Sequence, residues 1–269
     1  MKYGFIGLGN MASAIIGGLR AAEQTARDEC FGYDIDTAKC KANQQKFGIT
    51  PLPDIQKTVE AADIVVLAVK PQMLDTVMAD ITPAACTGKL LVSIAAGKPL
   101  SYYEEKLPGI PVVRVMPNIN ATVRAAATAV CGGRHATAQH ISDVRRMFDT
   151  VGHTFEVPET LFSAFAAISG SSVAFAYLYI DAIARAGIRY GFSRAQAQEI
   201  SAMAALGSAR LILESETTPQ EWIDRVCSPG GTTIEGLFTL QEDGFEAALH
   251  RAIDAVVQKD KKLKEDTHA

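Results

Sequence analysis

Tyr3-Gly-Phe-Ile-Gly-Leu-Gly-Asn-Met-Ala12 reads as a short apolar strand, a turn with two glycines and the start of a helix. In this order the pattern G-x-G-x-x-A is typical of a dinucleotide-binding βαβ unit. Gly7 permits the tight turn, Gly9 lets the backbone approach a pyrophosphate, and Ala12 lets the helix pack closely on the strand. The unpaired N–H groups at the helix start suit the phosphates, so we predict a dinucleotide site here.

Outward from this stretch, the first half of the chain alternates apolar strands with helices. The predicted strands are Tyr3–Ile6, Cys30–Asp34, Ile64–Val69, Leu90–Ile94, Val112–Val115 and Thr128–Cys131. The predicted helices between them are Asn10–Ala22, Thr37–Phe47, Asp54–Glu60, Gln72–Asp80, Ser101–Lys106 and Ala138–Thr150. Nearly continuous Val, Ile, Leu and Ala runs indicate strands buried on both faces, so the alternation predicts an α/β fold with a doubly wound parallel (Rossmann) sheet over residues 1–158.

Beyond Pro158 the strand pattern disappears, and residues 159–269 read as an all-helical domain. Its predicted helices are Glu159–Ile168, Ser172–Tyr190, Arg194–Glu214, Pro219–Arg225, Thr233–Leu240 and Phe245–Lys264. The stretch Ala195–Leu213 is apolar on more than one face, which is typical of a helix buried in a bundle or against another chain. About 110 residues of such helices make a thin domain, so we expect a homodimer or higher homo-oligomer joined through it.

Composition narrows the function classes. The net charge of −4 gives no electrostatic footprint for nucleic acid. No apolar run reaches spanning length and no signal peptide is evident, so we expect no membrane segment. The five cysteines are widely separated and form no C-x-x-C pair, which argues against disulfides and against a metal site and fits a reducing cytoplasm.

The second predicted strand ends at Asp34, where an acidic residue would hold the adenosine ribose 2′-hydroxyl. A carboxylate there repels a 2′-phosphate, and Lys39 and Lys41 are the nearby cations. This interpretation favours NADH over NADPH. Alternatively, Asp34 or Asp36 merely caps the helix that begins near Thr37.

Three more strand ends lie at the same carboxyl edge, where ligands bind in such sheets. Ala68-Val69-Lys70-Pro71 offers a lysine that could reach a phosphate or ribose, and Ala95-Ala96-Gly97 leaves room for a nicotinamide ribose. Asn118 offers an amide at the mouth of the sheet. Alternatively, each of these segments is an ordinary turn without a ligand.

The segment Ser228-Pro-Gly-Gly-Thr-Thr-Ile-Glu235 breaks the chain and then opens a helix. Thr232 and Glu235 fit the S/T-x-x-E capping box. The N–H groups of Gly231, Thr232 and Thr233 would form an anion cradle suited to a small carboxylate, with the Thr233 hydroxyl beside it. The alternative is a simple helix cap.

No lysine occurs from Leu107 to Gln258. Hydroxyacid dehydrogenases of similar architecture use a lysine of the second domain as acid and base, whereas the corresponding helix here carries only Arg185 and Arg189. Arginine is a poor proton donor at any working pH. Reduction of a C=N bond needs no such donor if the imine binds protonated, so the sequence favours an imine reductase acting on an imino acid.

These motifs resemble pyrroline-5-carboxylate reductases, the last enzymes of proline biosynthesis. The resemblance spans the chain and is carried by Phe5–Ala12, Ala68–Gln72, Ile94–Gly97, Arg114–Asn118, Ile168–Ser172 and Ser228–Ile234. It implies an NAD(P)H-dependent enzyme with a Rossmann domain and a helical domain that interlocks with a second subunit.

The resemblance and the strand-end arguments above together predict the site residues. We expect the coenzyme on Gly7, Leu8, Gly9, Asn10, Met11, Asp34, Ala68, Val69, Lys70, Pro71, Ala95, Ala96 and Gly97. We expect the imino acid on Asn118, Gly230, Gly231, Thr232 and Thr233, with Thr233 in the catalytic role beside the ring nitrogen.

The chain departs from the family pattern at Ile119-Asn120, usually Thr-Pro, and at Val173, usually Pro. These changes affect the expected substrate range rather than the reaction class. Many members use NADPH, so the sequence does not decide between NADH and NADPH. Two alternatives remain: a same-fold enzyme with another substrate, such as a hydroxyacid or another cyclic imine, and a dinucleotide-binding sensor without turnover.

Overall fold

The protein is described by a computed structural model that covers residues 1–266, with side chains described through residue 262. The last three residues of the predicted helical domain, 267–269, lie outside the described residues. The chain divides into two compact units. The first contains Met1–Gly170 together with the described residues from Lys259 onward, and the second contains Ser171–Gln258.

The first unit is built on an eight-stranded sheet in the order β3-β2-β1-β4-β5-β6-β7-β8. The strands are β1 Lys2–Ile6, β2 Glu29–Tyr33, β3 Thr50–Pro51, β4 Ile64–Leu67, β5 Leu90–Ser93, β6 Val112–Met116, β7 Ala126–Gly132 and β8 Gly152–Glu156. All neighbouring pairs are parallel except β6 and β7, which are antiparallel. The predicted α/β fold is therefore confirmed, with one antiparallel pair in an otherwise parallel sheet.

Helices cover both faces of this sheet. They are α1 Asn10–Ala21, α2 Thr37–Phe47, α3 Ile55–Ala61, α4 Leu74–Ala79, α5 Leu100–Lys106, α6 Ala138–Phe148 and α7 Phe162–Phe165. One buried cluster joins the inner side of α1 to alternate residues of the central strands, and a second joins α3, α4 and α5 to the opposite face. Burial on both faces explains why these strands read as continuous apolar runs.

The second unit consists of helices joined by turns. Its helices are α8 Ser172–Arg189, α9 Arg194–Leu213, α10 Pro219–Val226, α11 Thr232–Glu242 and the first part of α12 Phe245–Asp266. Ser193 caps α9 and Thr218 caps α10, each in a reciprocal capping box. Gly187 lets α8 approach α9 closely, because an added Cβ would lie 3.3 Å from the Ala197 Cβ.

The compact units divide at Gly170, later than the predicted boundary at Pro158. The physical reason is that Phe162 and Phe165 pack with Ala129 of the sheet in a small buried cluster. Two strands lie outside the sequence prediction, namely β3 and β8. Strand β3 has only two residues, and the mostly polar, partly exposed residues of β8 carry little strand signal.

The expectation that no apolar run reaches spanning length is wrong for one segment. The helical stretch Glu159–Arg189 is long and apolar enough to cross a membrane by length and composition, and 22% of its most apolar window is buried. It runs through a 3-10 turn, α7, a π-helical turn at Ala166–Ser171 and α8. Many of its apolar side chains are exposed in the single chain.

Candidate active site

The glycine turn after β1 leaves open backbone at the start of α1 and could hold a diphosphate. Gly7 has φ +94°, and a Cβ there would lie 2.7 Å from the Ala68 carbonyl oxygen. A Cβ on Gly9 would meet nothing within 4 Å, so the missing side chain leaves open space in front of the turn. Gly9 is also the N-cap of α1 and provides no side-chain cap. The N–H groups at the start of α1, beginning with Asn10 and Met11, therefore remain available to an anion.

The Asp34 carboxylate lies directly beside this turn. Its Oδ2 accepts a hydrogen bond from the Leu8 N–H at 2.8 Å, and its Oδ1 accepts one from the Asp36 N–H at 2.9 Å. The Lys39 Nζ lies 3.6 Å from Oδ1, and the Asp34 side chain is only 8% exposed. Asp36, not Asp34, caps α2 through the Ala38 N–H. The Asp34 carboxylate is thus fixed just after β2, and of the two aspartates considered as caps, Asp36 is the one that caps α2.

The other predicted coenzyme residues follow β4 and β5, which lie next to each other beside β1. Ala68 and Val69 pack against the glycine turn, and Lys70 is exposed just before a 3-10 turn that begins at Pro71. Ala95 is buried, Ala96 is exposed, and Gly97 has φ +83° with open space where a Cβ would be. The sheet therefore brings these two segments and Gly7–Met11 to one edge.

Asn118 follows β6, but its side chain is not a free amide. It is 6% exposed, its Nδ2 donates to the Ser169 carbonyl oxygen at 2.9 Å, and its Oδ1 accepts from the Asn120 N–H at 3.2 Å. Ser169 lies in the π-helical turn Ala166–Ser171, a rare geometry that is frequent at functional sites. The geometry favours Asn118 as a group that positions this turn rather than as a direct ligand of the imino acid.

In the second unit, the segment before α11 forms a tight turn. Gly230 has φ +67°, and the Gly231 N–H donates to the Ser228 carbonyl oxygen at 3.0 Å. Gly231 is the N-cap of α11 and makes no side-chain cap. Thr232 and Thr233 occupy the first turn with exposed side chains, which make no hydrogen bond within the described residues.

Two sequence predictions change in this segment. The Thr232–Glu235 capping box is wrong, because α11 begins at Thr232 and the N-cap position falls on Gly231. The Gly231 N–H is also not part of a free cradle, because the turn itself uses it. The available donors are the N–H groups of Thr232, Thr233 and Ile234, since the first N–H groups of a helix have no partner within it.

Comparisons with known proteins match the whole chain. A curated pyrroline-5-carboxylate reductase of Methanosarcina acetivorans is 39% identical over 263 residues, which cover 97% of each chain. A crystal structure of 1-pyrroline-5-carboxylate reductase from Streptococcus pyogenes has 35% identity and a TM-score of 0.85, covering 97% of this chain and 98% of that one. The chain belongs to the pyrroline-5-carboxylate reductase family.

Two family profiles match separate parts of the chain. The profile described as "Pyrroline-5-carboxylate reductase dimerisation" matches residues 159–263 and begins directly after Pro158. The profile described as "NADP oxidoreductase coenzyme F420-dependent" matches residues 2–97, from β1 to the Gly97 turn. A Plasmodium falciparum pyrroline carboxylate reductase, described with NADP bound, has 28% identity and a TM-score of 0.85 over 98% of both chains.

Beyond the motifs shared with the reductase family, sequence reasoning missed a buried polar layer beneath the carboxyl edge. Arg114 on β6 is 3% exposed, and its Nη1 lies 2.7 Å from the Glu159 Oε1. The Ser93 hydroxyl lies 2.6 Å from the Tyr103 hydroxyl, and burial raises the pKa of Tyr103, so this phenol stays neutral. An arginine in an otherwise apolar strand was the available signal, but its partner lies 45 residues away in sequence.

No group of three or more His, Cys, Asp or Glu side chains that could hold a metal occurs within residues 1–262, for which side chains are described. All five cysteines are free thiols.

Proposed function

We propose that the protein reduces 1-pyrroline-5-carboxylate to proline with NAD(P)H. Family membership over the full chain supports the reaction, and one observation carries the substrate assignment. This observation is the uncapped N terminus of α11, where exposed Thr232 and Thr233 follow two glycines. Such a helix end is a ready anion site and suits the carboxylate of a small imino acid.

The first unit fits the coenzyme. The open space in front of Gly9 and the unpaired N–H groups of α1 would hold the diphosphate, and the Gly97 turn leaves room for the second ribose. When bound, NAD(P)H supplies a hydride for C5 of the substrate ring. The chain's own contribution is to hold and orient this group at the carboxyl edge of the sheet.

The second unit fits the imino acid. The N–H groups of Thr232 and Thr233 would bind its carboxylate, and the Thr233 hydroxyl would accept a hydrogen bond from the protonated ring nitrogen. Positioning and charge neutralisation then account for most of the catalysis. Arg185 of α8 is no proton donor, because it is engaged with Asp181 at 2.6 Å and stays charged.

We further propose a preference for NADH. The Asp34 carboxylate is held in place by two backbone N–H groups, so it cannot easily turn away from a 2′-phosphate. Lys39 offsets part of this charge at 3.6 Å, which leaves NADPH usable at a lower rate. The relative described with NADP bound shows that the family accommodates that coenzyme.

We infer that the working form is a homo-oligomer joined through the helical unit, in keeping with the dimerisation profile over residues 159–263. We also infer a reducing, cytoplasmic compartment, since the five thiols are unpaired.

The test is oxidation of NADH and of NADPH by the purified protein with pyrroline-5-carboxylate, compared with Thr233→Ala. We expect wild-type turnover, and a decrease in kcat/KM of about tenfold to a hundredfold in the variant with unchanged coenzyme binding, since a hydrogen bond to a charged group is lost. Thr239→Ala on the same helix is the control, because its hydroxyl only bonds the Glu235 carbonyl oxygen. Equal activity of Thr233→Ala and wild type would refute the assigned role.

A further inference from the structure

A polar row crosses the interior of the sheet at the level of the coenzyme turns. Ser93 on β5, Arg114 on β6 and Cys131 on β7 are successive register partners. Arg114 is buried among apolar strand residues, which is unfavourable for a charge unless a partner compensates it. Its guanidinium stacks on the Phe162 ring, with 4.5 Å from Cζ to the centroid, and Nη1 contacts Glu159.

The same Glu159 oxygen has a second bond. Oε1 accepts the Leu100 N–H at 2.8 Å, and Leu100 is the first residue of α5. The N-cap of α5 is Pro99, which provides no side-chain cap. A carboxylate from 59 residues further along the chain therefore takes the place of the missing cap and is favoured there by the helix dipole.

This layer holds the Ala95–Gly97 turn at both ends. At its start, the Ala95 N–H donates to the Ser93 hydroxyl at 3.3 Å, and that hydroxyl is paired with Tyr103 of α5. At its end, Glu159 fixes Leu100, three residues after Gly97. Gly97 itself has a positive φ and open space where a Cβ would be, and the Lys98 ammonium that follows it lies 3.7 Å from the Asp75 carboxylate.

We propose that Glu159 is a positioning residue for the coenzyme: through one carboxylate oxygen it fixes the N terminus of α5 and thereby the Ala95–Gly97 turn, while neutralising buried Arg114. The proposal rests on the coenzyme assignment of the proposed function. It predicts that loss of Glu159 weakens coenzyme binding more than imino acid binding.

The experiment separates positioning from stability with two variants of the full-length protein. Glu159→Met removes both bonds and leaves Arg114 unpaired, so it should lower the thermal midpoint. Arg114→Met/Glu159→Met removes both charges and replaces them with apolar side chains of similar length, which should restore much of that stability. Neither variant can cap Leu100. Glu156→Gln, an exposed carboxylate on β8, is the matched control.

Direct titration with NADH and with NADPH gives the dissociation constants, and steady-state kinetics gives KM for pyrroline-5-carboxylate. We expect the coenzyme Kd of the double variant to rise about fivefold or more, because one partly buried hydrogen bond is lost. The imino acid KM should stay within about twofold of wild type. A double variant that regains its thermal midpoint and binds coenzyme like wild type would overturn the proposal. A wild type that binds coenzyme without reducing pyrroline-5-carboxylate would contradict the proposed function alone, because the binding comparison still applies.

Discussion

At the scale of single residues, we expect Asp34 to link the glycine turn to the choice of coenzyme. Its two oxygens hold the Leu8 and Asp36 N–H groups, so its charge stays at the end of β2. Asp34→Asn removes that charge and keeps one acceptor. We expect the ratio of kcat/KM for NADPH over NADH to rise about tenfold, as the loss of roughly 1.4 kcal/mol of repulsion would produce.

The control for Asp34→Asn is Asp36→Asn, which also removes one charge close by. Asparagine caps a helix as well as aspartate does, so α2 should be unaffected. If both substitutions change the coenzyme ratio equally, the effect is general electrostatics and the specific role of Asp34 is contradicted.

Residue-level prediction from sequence succeeded where chemistry is local and failed where partners are distant. Gly7 and Gly9 have the backbone freedom and open space that their motif indicates. The sequence did not reveal that the Asn118 amide donates to the Ser169 carbonyl oxygen, 51 residues later, and its contact with a ligand stays a prediction. Nothing in a single sequence reports such a pairing.

At the scale of elements, the turn before α11 determines where the helix begins. Gly230 has φ +67°, a conformation that costs an alanine about 1 kcal/mol. Gly230→Ala should therefore disturb the N–H groups of Thr232 and Thr233 and raise KM for pyrroline-5-carboxylate about fivefold. Steady-state kinetics at saturating coenzyme measures this change.

Gly236→Ala in the middle of α11 is the matched control. A Cβ there meets nothing within 4 Å, and alanine is the better helix former, so the thermal midpoint should hold or rise. Two variants with the same KM would contradict a special role for the turn.

The predicted bounds of the elements were accurate where residues that start and end a helix stand at its ends. Helix α2 has the predicted limits, Thr37–Phe47, because Asp36 caps its start and Gly48 ends it in the left-handed conformation. The antiparallel direction of β7 could not be predicted, since strand direction depends on the path of the chain. The Thr232–Glu235 motif misled because Gly231 can serve as an N-cap without a side chain.

At the scale of the whole molecule, the helical unit carries large apolar side chains on its surface. Leu178 is 70% exposed on α8, and Tyr177, Ile183, Met203 and Leu206 are also exposed. Exposed apolar surface of this extent marks an interaction site, and the dimerisation profile over the same residues indicates another copy of the chain. Such an interface explains why Glu159–Arg189 is long and apolar enough to resemble a membrane span.

Leu178→Glu should therefore weaken self-association. We expect light scattering to show at least two chains per particle for wild type and a shift toward monomer for the variant, because a charge would be buried in an apolar contact. Gln44→Glu, an exposed change on α2, should have no effect. A wild type that is monomeric at micromolar concentration would contradict the inferred assembly.

The three buried clusters draw all their residues from the chain between Tyr3 and Phe165. During synthesis this part leaves the ribosome first, and it can complete its interior before most of the helices that follow have been translated. We expect the nascent chain to bind coenzyme early. The later helices should keep their apolar surfaces exposed until two finished polypeptides associate. Association of the helical units would then depend on the concentration of the protein itself, whereas folding of the coenzyme-binding unit would not.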